Sequence, residues 1–89
     1  MGTDGSCFAT VTVRLPDGLH VALAYELAAL IKTFDAKVSM RSWRREQAIR
    51  NGNDLLKLAL RDGDSVDVSC SGSDAQALLD AVKGFLSGS

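Results

Sequence analysis

Ala9-Thr10-Val11-Thr12-Val13-Arg14-Leu15 runs through Pro16-Asp17-Gly18-Leu19-His20 into Val21-Ala22-Leu23-Ala24-Tyr25-Glu26-Leu27-Ala28-Ala29-Leu30-Ile31. The first segment alternates apolar and polar residues and reads as a strand. The last repeats apolar residues at Leu23, Leu27, Leu30, Ile31 and then Phe34, which is helical spacing. Pro16-Asp17-Gly18 between them is a turn. His20, the chain's single histidine, therefore falls at a helix N-terminus that follows a strand and a turn. Such a terminus presents unpaired N–H groups and a positive dipole end, and so favours anions. A neutral imidazole nitrogen placed there can accept a phosphoryl group while the backbone holds its charge. Against this stands the ordinary case, in which a lone histidine near a helix start is a surface residue without special chemistry.

The remaining pattern continues outward from that junction. The first strand is expected over Cys7 to Leu15, after a frayed Met1 to Ser6. The first helix is expected from Val21 to Thr33, with Ala24 and Ala28 allowing close approach. A second strand, Lys37 to Ser42, points Val38 and Met40 inward. Trp43 to Ala48 fits an edge strand, where charges discourage pairing with other chains. The basic cluster Arg41, Arg44, Arg45 and Arg50 reads either as edge protection, the favoured reading, or as an anion or partner site. Asn53 is expected to cap a short helix over Asp54 to Leu60 that buries Leu55, Leu58 and Ala59. Arg61-Asp62-Gly63-Asp64 is a turn, and Ser65 to Cys70 is another alternating strand. Ser73-Asp74-Ala75-Gln76 matches a capping box for a last helix carrying Ala75, Leu78, Val82, Phe85 and Leu86, ended by Gly88.

The order is β-α-β-β-α-β-α, and every element has one apolar face. The economical arrangement is an α+β open-faced sandwich, with a four-stranded antiparallel sheet and three helices on one face. Antiparallel pairing of the first and last strands brings Cys7 and Cys70 together, as free thiols in a reducing compartment.

Composition excludes several classes. With 89 residues the chain makes one small domain, 1–89. A net charge of −1 gives no global argument for nucleic acid or an anionic membrane. No apolar stretch is long enough to span a bilayer and no signal peptide is visible, so a cytoplasmic location is expected. Two cysteines and one histidine are too few for a disulfide scaffold or a zinc site, so neither metal nor cofactor is expected. An independent enzyme is poorly supported, because there is no glycine-rich phosphate loop and no paired carboxylates in an apolar pocket.

On these residues the chain resembles the histidine-containing phosphocarrier (HPr) family of the bacterial phosphoenolpyruvate-dependent sugar phosphotransferase system. The resemblance rests on Gly18-Leu19-His20 before a helix and Phe34-Asp35-Ala36-Lys37-Val38 leading into the second strand. It continues through Leu55 to Leu60, Asp62-Gly63-Asp64 before the last strand, and Ser71-Gly72-Ser73-Asp74-Ala75 into the last helix. It implies that His20 accepts a phosphoryl group on Nδ1 from enzyme I and passes it to sugar-specific enzyme II components. The N–H groups of Val21 and Ala22 are then candidate hydrogen-bond donors to the phosphate, Leu55 and Leu56 are docking candidates although core packing is the favoured reading for both, and the carrier is expected to be a monomer.

The departures from the family fall on the chemistry. Ala22 stands where the family has arginine, which removes a charged hydrogen bond of roughly 1.5–3 kcal/mol. Leu23 replaces a proline that pre-organises the first turn. Asp17 stands where the family has Asn or Ser and brings a like charge toward a phosphoryl group. Asn51 replaces a regulatory serine found in some members, and Gly52-Asn53 replaces two apolar docking residues. These changes frame an alternative, a diverged, non-phosphorylated HPr-like binding or regulatory module.

Overall fold

The computed structural model describes residues 5–43 and 45–88. In chain order these form β1 (Gly5–Thr12), α1 (Val21–Ile31), β2 (Lys37–Ser42), β3 (Arg45–Ile49), α2 (Gly52–Lys57), β4 (Ser65–Gly72) and α3 (Ala75–Ser87). The strands make one sheet in the order β1-β4-β2-β3, and every neighbouring pair is antiparallel. This is the α+β open-faced sandwich expected from the one-sided apolar pattern.

Alternation along each strand decides which face is covered. Val11, Val38, Met40, Ile49, Val66, Val68 and Cys70 are buried beneath the helices. Phe8, Thr10, Lys37, Arg41, Glu46 and Ser69 are exposed on the other face, where Thr10 Oγ1 donates to Asp67 Oδ1 at 2.8 Å. From α1, Ala24, Leu27, Ala28 and Ile31 reach the core, and α3 contributes Ala75, Leu78, Leu79, Val82 and Leu86. Leu27 is fully buried. Leu27→Ala is therefore expected to cost about 2–5 kcal/mol, read as a lower urea midpoint with an unchanged denaturant slope. A midpoint shift within about 0.5 kcal/mol, the usual range for a surface change, would place this residue outside the core.

Several expected boundaries and caps are corrected. Gly5 and Ser6 are paired with Gly72 and Ser71 rather than frayed, while residues 1–4 lie outside the described residues. β1 ends at Thr12, before Leu15, because the next N–H groups leave the ladder: Val13 N–H goes to Asp64 O at 2.8 Å and Arg14 N–H to Leu86 O at 2.7 Å. α1 stops at Ile31, two residues before Thr33, where Thr33 N–H and its Oγ1 both turn back to the carbonyl of Leu30. β3 starts at Arg45 because Trp43 adopts the left-handed region (φ 58°) at the hairpin turn. It is one of the two edge strands, β1 being the other.

Of the expected basic cluster, Arg41 and Arg45 fall on opposite faces of the sheet. Arg41 lies opposite Glu46 in the β2–β3 register. Arg45 donates to the Lys57 carbonyl at the C-terminus of α2 (3.0 Å). Arg44 falls outside the described residues.

The cap of α2 is Asn51, not Asn53: its side chain accepts the Asp54 N–H at 3.1 Å. Asp54 answers by accepting the Arg50 N–H at 2.9 Å. The helix ends at Lys57 rather than Leu60, and Ala59 is exposed with φ 51° instead of buried.

The capping box of α3 is not formed. Asp74 is the cap residue and makes no side-chain cap bond. Ser73 Oγ donates instead to Asp35 Oδ2 at 2.8 Å, and Gln76 Nε2 donates to Asp80 at 3.0 Å. Gly88 does end the helix, with φ 76°.

Cys7 and Cys70 are directly opposed on β1 and β4 and both are free. Cys7 Sγ donates to Gln76 Oε1 at 3.3 Å. Burial, and secondarily the neighbouring Cys7, pushes the Cys70 thiol up to about 11. It therefore stays protonated at neutral pH and is a poor nucleophile.

Candidate functional site

The junction read first in the sequence is held by backbone bonds. Gly18 N–H donates to Leu15 O at 2.8 Å, closing the Pro16-Asp17 turn, and Gly18 takes φ 73°, a conformation that favours glycine. Leu19 is buried and anchors the segment to the core. Its N–H donates to Leu60 O at 3.1 Å. His20 follows as the N-cap of α1, with extended backbone (φ −80°, ψ 178°).

The His20 side chain is exposed and makes no cap hydrogen bond. Its carbonyl accepts from Ala24 N–H at 2.9 Å and opens the helical ladder. The N–H groups of Val21 and Ala22 belong to the first turn and have no intrahelical partner. No acidic residue stands in that turn, so no carboxylate of the helix competes with an anion there.

His20 lines a shallow depression with Pro16, Asp17, Gly18, Leu19, Leu60, Arg61 and Asp62. The turn before β4 thus forms the opposite wall. It is held there because antiparallel β1 and β4 bring the residues after β1 beside those before β4. Gly63 N–H donates to Val13 O at 2.7 Å, and Arg61 N–H donates to Asp64 Oδ2 at 2.9 Å. Sequence reading treated Arg61 only as part of a turn. Its place in the site follows from strand pairing rather than from any local motif. Arg14 and Arg50 do not line the depression.

Of the two expected docking groups, Leu55 is fully buried and serves the core. Leu56 is half-buried and packs against the core, so only Leu56 reaches the surface. The apolar surface beside His20 comes mainly from α1, where Val21 and Tyr25, one turn apart on the same side, are 57% and 49% exposed. Tyr25 explains the Gly52-Asn53 change. Its hydroxyl donates to Asn53 Oδ1 at 2.9 Å, and a methyl added to Gly52 would fall 2.3 Å from its ring. The Tyr25 ring thus covers the start of α2, where the family carries an apolar side chain of α2 itself. Asn51, at the regulatory serine position, is a structural cap without a hydroxyl.

Comparison with known proteins bears on this geometry. The family model for the PTS HPr component phosphorylation site matches residues 8–87, and the chain belongs to that family. It is 36% identical over 75 residues to a multiphosphoryl transfer protein of Xanthomonas campestris pv. campestris, covering 84% of this chain and 9% of that protein. It is 30% identical over 69 residues to the phosphoryl donor subunit DhaM of the PEP-dependent dihydroxyacetone kinase of Providencia stuartii, covering 78% of this chain and 14% of that protein. The chain thus spans a small part of the length of these curated relatives. Among solved structures, phosphocarrier protein HPr of Bacillus anthracis aligns with a TM-score of 0.86 at 21% identity, covering 91% of this chain and 96% of that one. HPr-C-His of Thermoanaerobacter tengcongensis aligns with a TM-score of 0.82 at 16% identity, covering 90% of each chain. These structural likenesses carry the fold. Among the described residues, no helix is long and apolar enough to cross a membrane.

Proposed function

We propose that this HPr-type domain relays a phosphoryl group through His20. Enzyme I is the donor and a sugar-specific enzyme II component of the phosphotransferase system is the acceptor. The observation that carries the reading is the state of His20 itself. It is exposed, its side chain is not engaged in capping, and it is the N-cap of an 11-residue helix whose first N–H groups lack intrahelical partners.

An unprotonated ring nitrogen of His20 attacks phosphorus and the N–P bond forms. The donor's bond to phosphorus breaks, and its electron pair leaves with the donor. The new charge on the phosphoryl oxygens faces the N–H groups of Val21 and Ala22. Val21, Tyr25 and Leu56 supply an apolar surface for the partner around the reacting ring. The names of the relatives, a multiphosphoryl transfer protein and a phosphoryl donor subunit of a kinase, support a relay rather than an independent enzyme.

The test is incubation with enzyme I and phosphoenolpyruvate, followed by detection of acid-labile phosphate. Ala22→Arg adds a cation in the first turn, and Asp17→Asn removes a carboxylate from the depression. Each is expected to speed incorporation, Asp17→Asn by about two- to fivefold, as suits an exposed charge. Unchanged rates in both variants would refute the electrostatic account of the departures. A second reading, the non-phosphorylated binding or regulatory module, is favoured by Ala22 and Leu23. It predicts no phosphate in the parent chain and a gain in Ala22→Arg.

A further inference from the structure

We infer that Arg61 supplies the guanidinium that pairs with the phosphoryl group on His20, taking the part of the arginine missing at position 22. The inference rests on the relay reading above and names a further residue for it. Arg61 and His20 line the same depression from opposite walls. The backbones of those walls are in contact: a methyl on Gly18 would lie 3.5 Å from Arg61 Cα, and Leu19 N–H is bonded to Leu60 O. The Arg61 backbone is therefore held beside the junction, and Arg61 also lines a second depression with Trp43, Arg45 and Asp64, so its side chain has to reach toward His20. Its own N–H is fixed by Asp64.

The guanidinium is uncommitted. Among the described residues, no hydrogen bond or ion pair takes it up, and the ion pair found there joins Lys57 to Asp54. The other charges lining the depression are the carboxylates of Asp17 and Asp62. A phosphoryl dianion added to this wall faces two like charges and one cation, so the cation is required for balance. A planar, always-charged guanidinium suits phosphate oxygens through paired donors.

The test uses the full chain in two reactions. In the first, the parent and its variants take phosphate from enzyme I and phosphoenolpyruvate. In the second, potassium phosphoramidate loads the histidine chemically without a protein donor, and the phosphorus resonance is titrated with pH. Arg61→Ala is expected to slow the first reaction about ten- to a hundredfold, the range of a charged hydrogen bond. It should raise the last ionisation of the phosphoryl group by about one unit or more, because the dianion loses its partner while Asp17 and Asp62 remain. Arg61→Lys should recover part of both effects. Arg14→Ala and Arg50→Ala, which remove charge elsewhere, should leave both unchanged.

An Arg61→Ala titration matching the parent overturns the assignment. So does an equal shift in Arg14→Ala or Arg50→Ala. If enzyme I loads nothing but the phosphoramidate form shows the Arg61-dependent shift, the relay fails and the assignment holds. If enzyme I transfer proceeds and Arg61→Ala moves neither readout, the assignment fails and the relay holds. If neither reagent loads the parent, both fail.

Discussion

His20→Ala is expected to abolish acid-labile phosphate completely and to leave folding stability within about 0.5 kcal/mol of the parent. The two halves of this expectation rest on different observations. The chain contains a single histidine, so no second imidazole can accept phosphate in its place, and the parent should take up no more than one equivalent. Stability should hold because the ring is exposed and makes no cap bond. Replacing a cap residue is costly mainly when its side chain satisfies a helix N–H, and here it satisfies none. The variant thus separates chemistry from folding. Urea unfolding and phosphate incorporation should be measured on the same preparation. Acid-labile phosphate persisting in His20→Ala would remove the histidine from the mechanism. A large stability loss would instead give His20 a structural role that its geometry does not suggest.

How far the sequence carried can be judged element by element. β2 was legible to the residue, because Val38, Met40 and Ser42 alternate between clear breaks. The start of α1 was equally plain, since turn chemistry and helical periodicity met at His20. The cap of α2 was misplaced because Asn51 and Asn53 are the same residue type within one turn. The choice between them depends on Asp54 reaching back to Arg50, a local bond, and on Tyr25 lying over Gly52, a tertiary contact. The α3 capping box failed for a similar reason. Ser73 and Gln76 had the right spacing, but nearby partners, Asp35 and Asp80, took their hydrogen bonds.

The site was legible only in part. His20 and the first-turn N–H groups follow from a local pattern. Arg61 and Tyr25 do not, because each acts across an element boundary. Tyr25 lies beside the missing apolar pair at Gly52-Asn53, and Arg61 shares a depression with His20, two residues before the missing arginine at Ala22. In each case the chemical character lost at one position is supplied by a residue from a neighbouring element.

Gly18 links that arrangement to stability, and Gly18→Ala is expected to destabilise the fold by about 1.5–3.5 kcal/mol. One part is backbone strain: φ 73° is a left-handed conformation that costs a residue with a Cβ about 1–2 kcal/mol. The other part is steric. The added methyl would sit 2.9 Å from Leu60 O, a backbone atom that cannot rotate away. That oxygen accepts the Leu19 N–H, so relief of the clash loses a hydrogen bond of about 0.5–1.5 kcal/mol. Gly63→Ala isolates the first part, and its difference from Gly18→Ala gives the second. Gly63 has φ 90°, but a methyl there meets nothing within 4 Å, so it incurs the strain alone. Urea midpoints should therefore rank the parent first, Gly63→Ala next and Gly18→Ala last. Equal losses in the two variants would show that contact with Leu60 contributes nothing. The same displacement moves Arg61 away from His20. At denaturant-free conditions where the variant remains folded, Gly18→Ala should also slow phosphate uptake. If the rate per folded molecule were unchanged, the junction would be holding His20 without depending on the opposite wall.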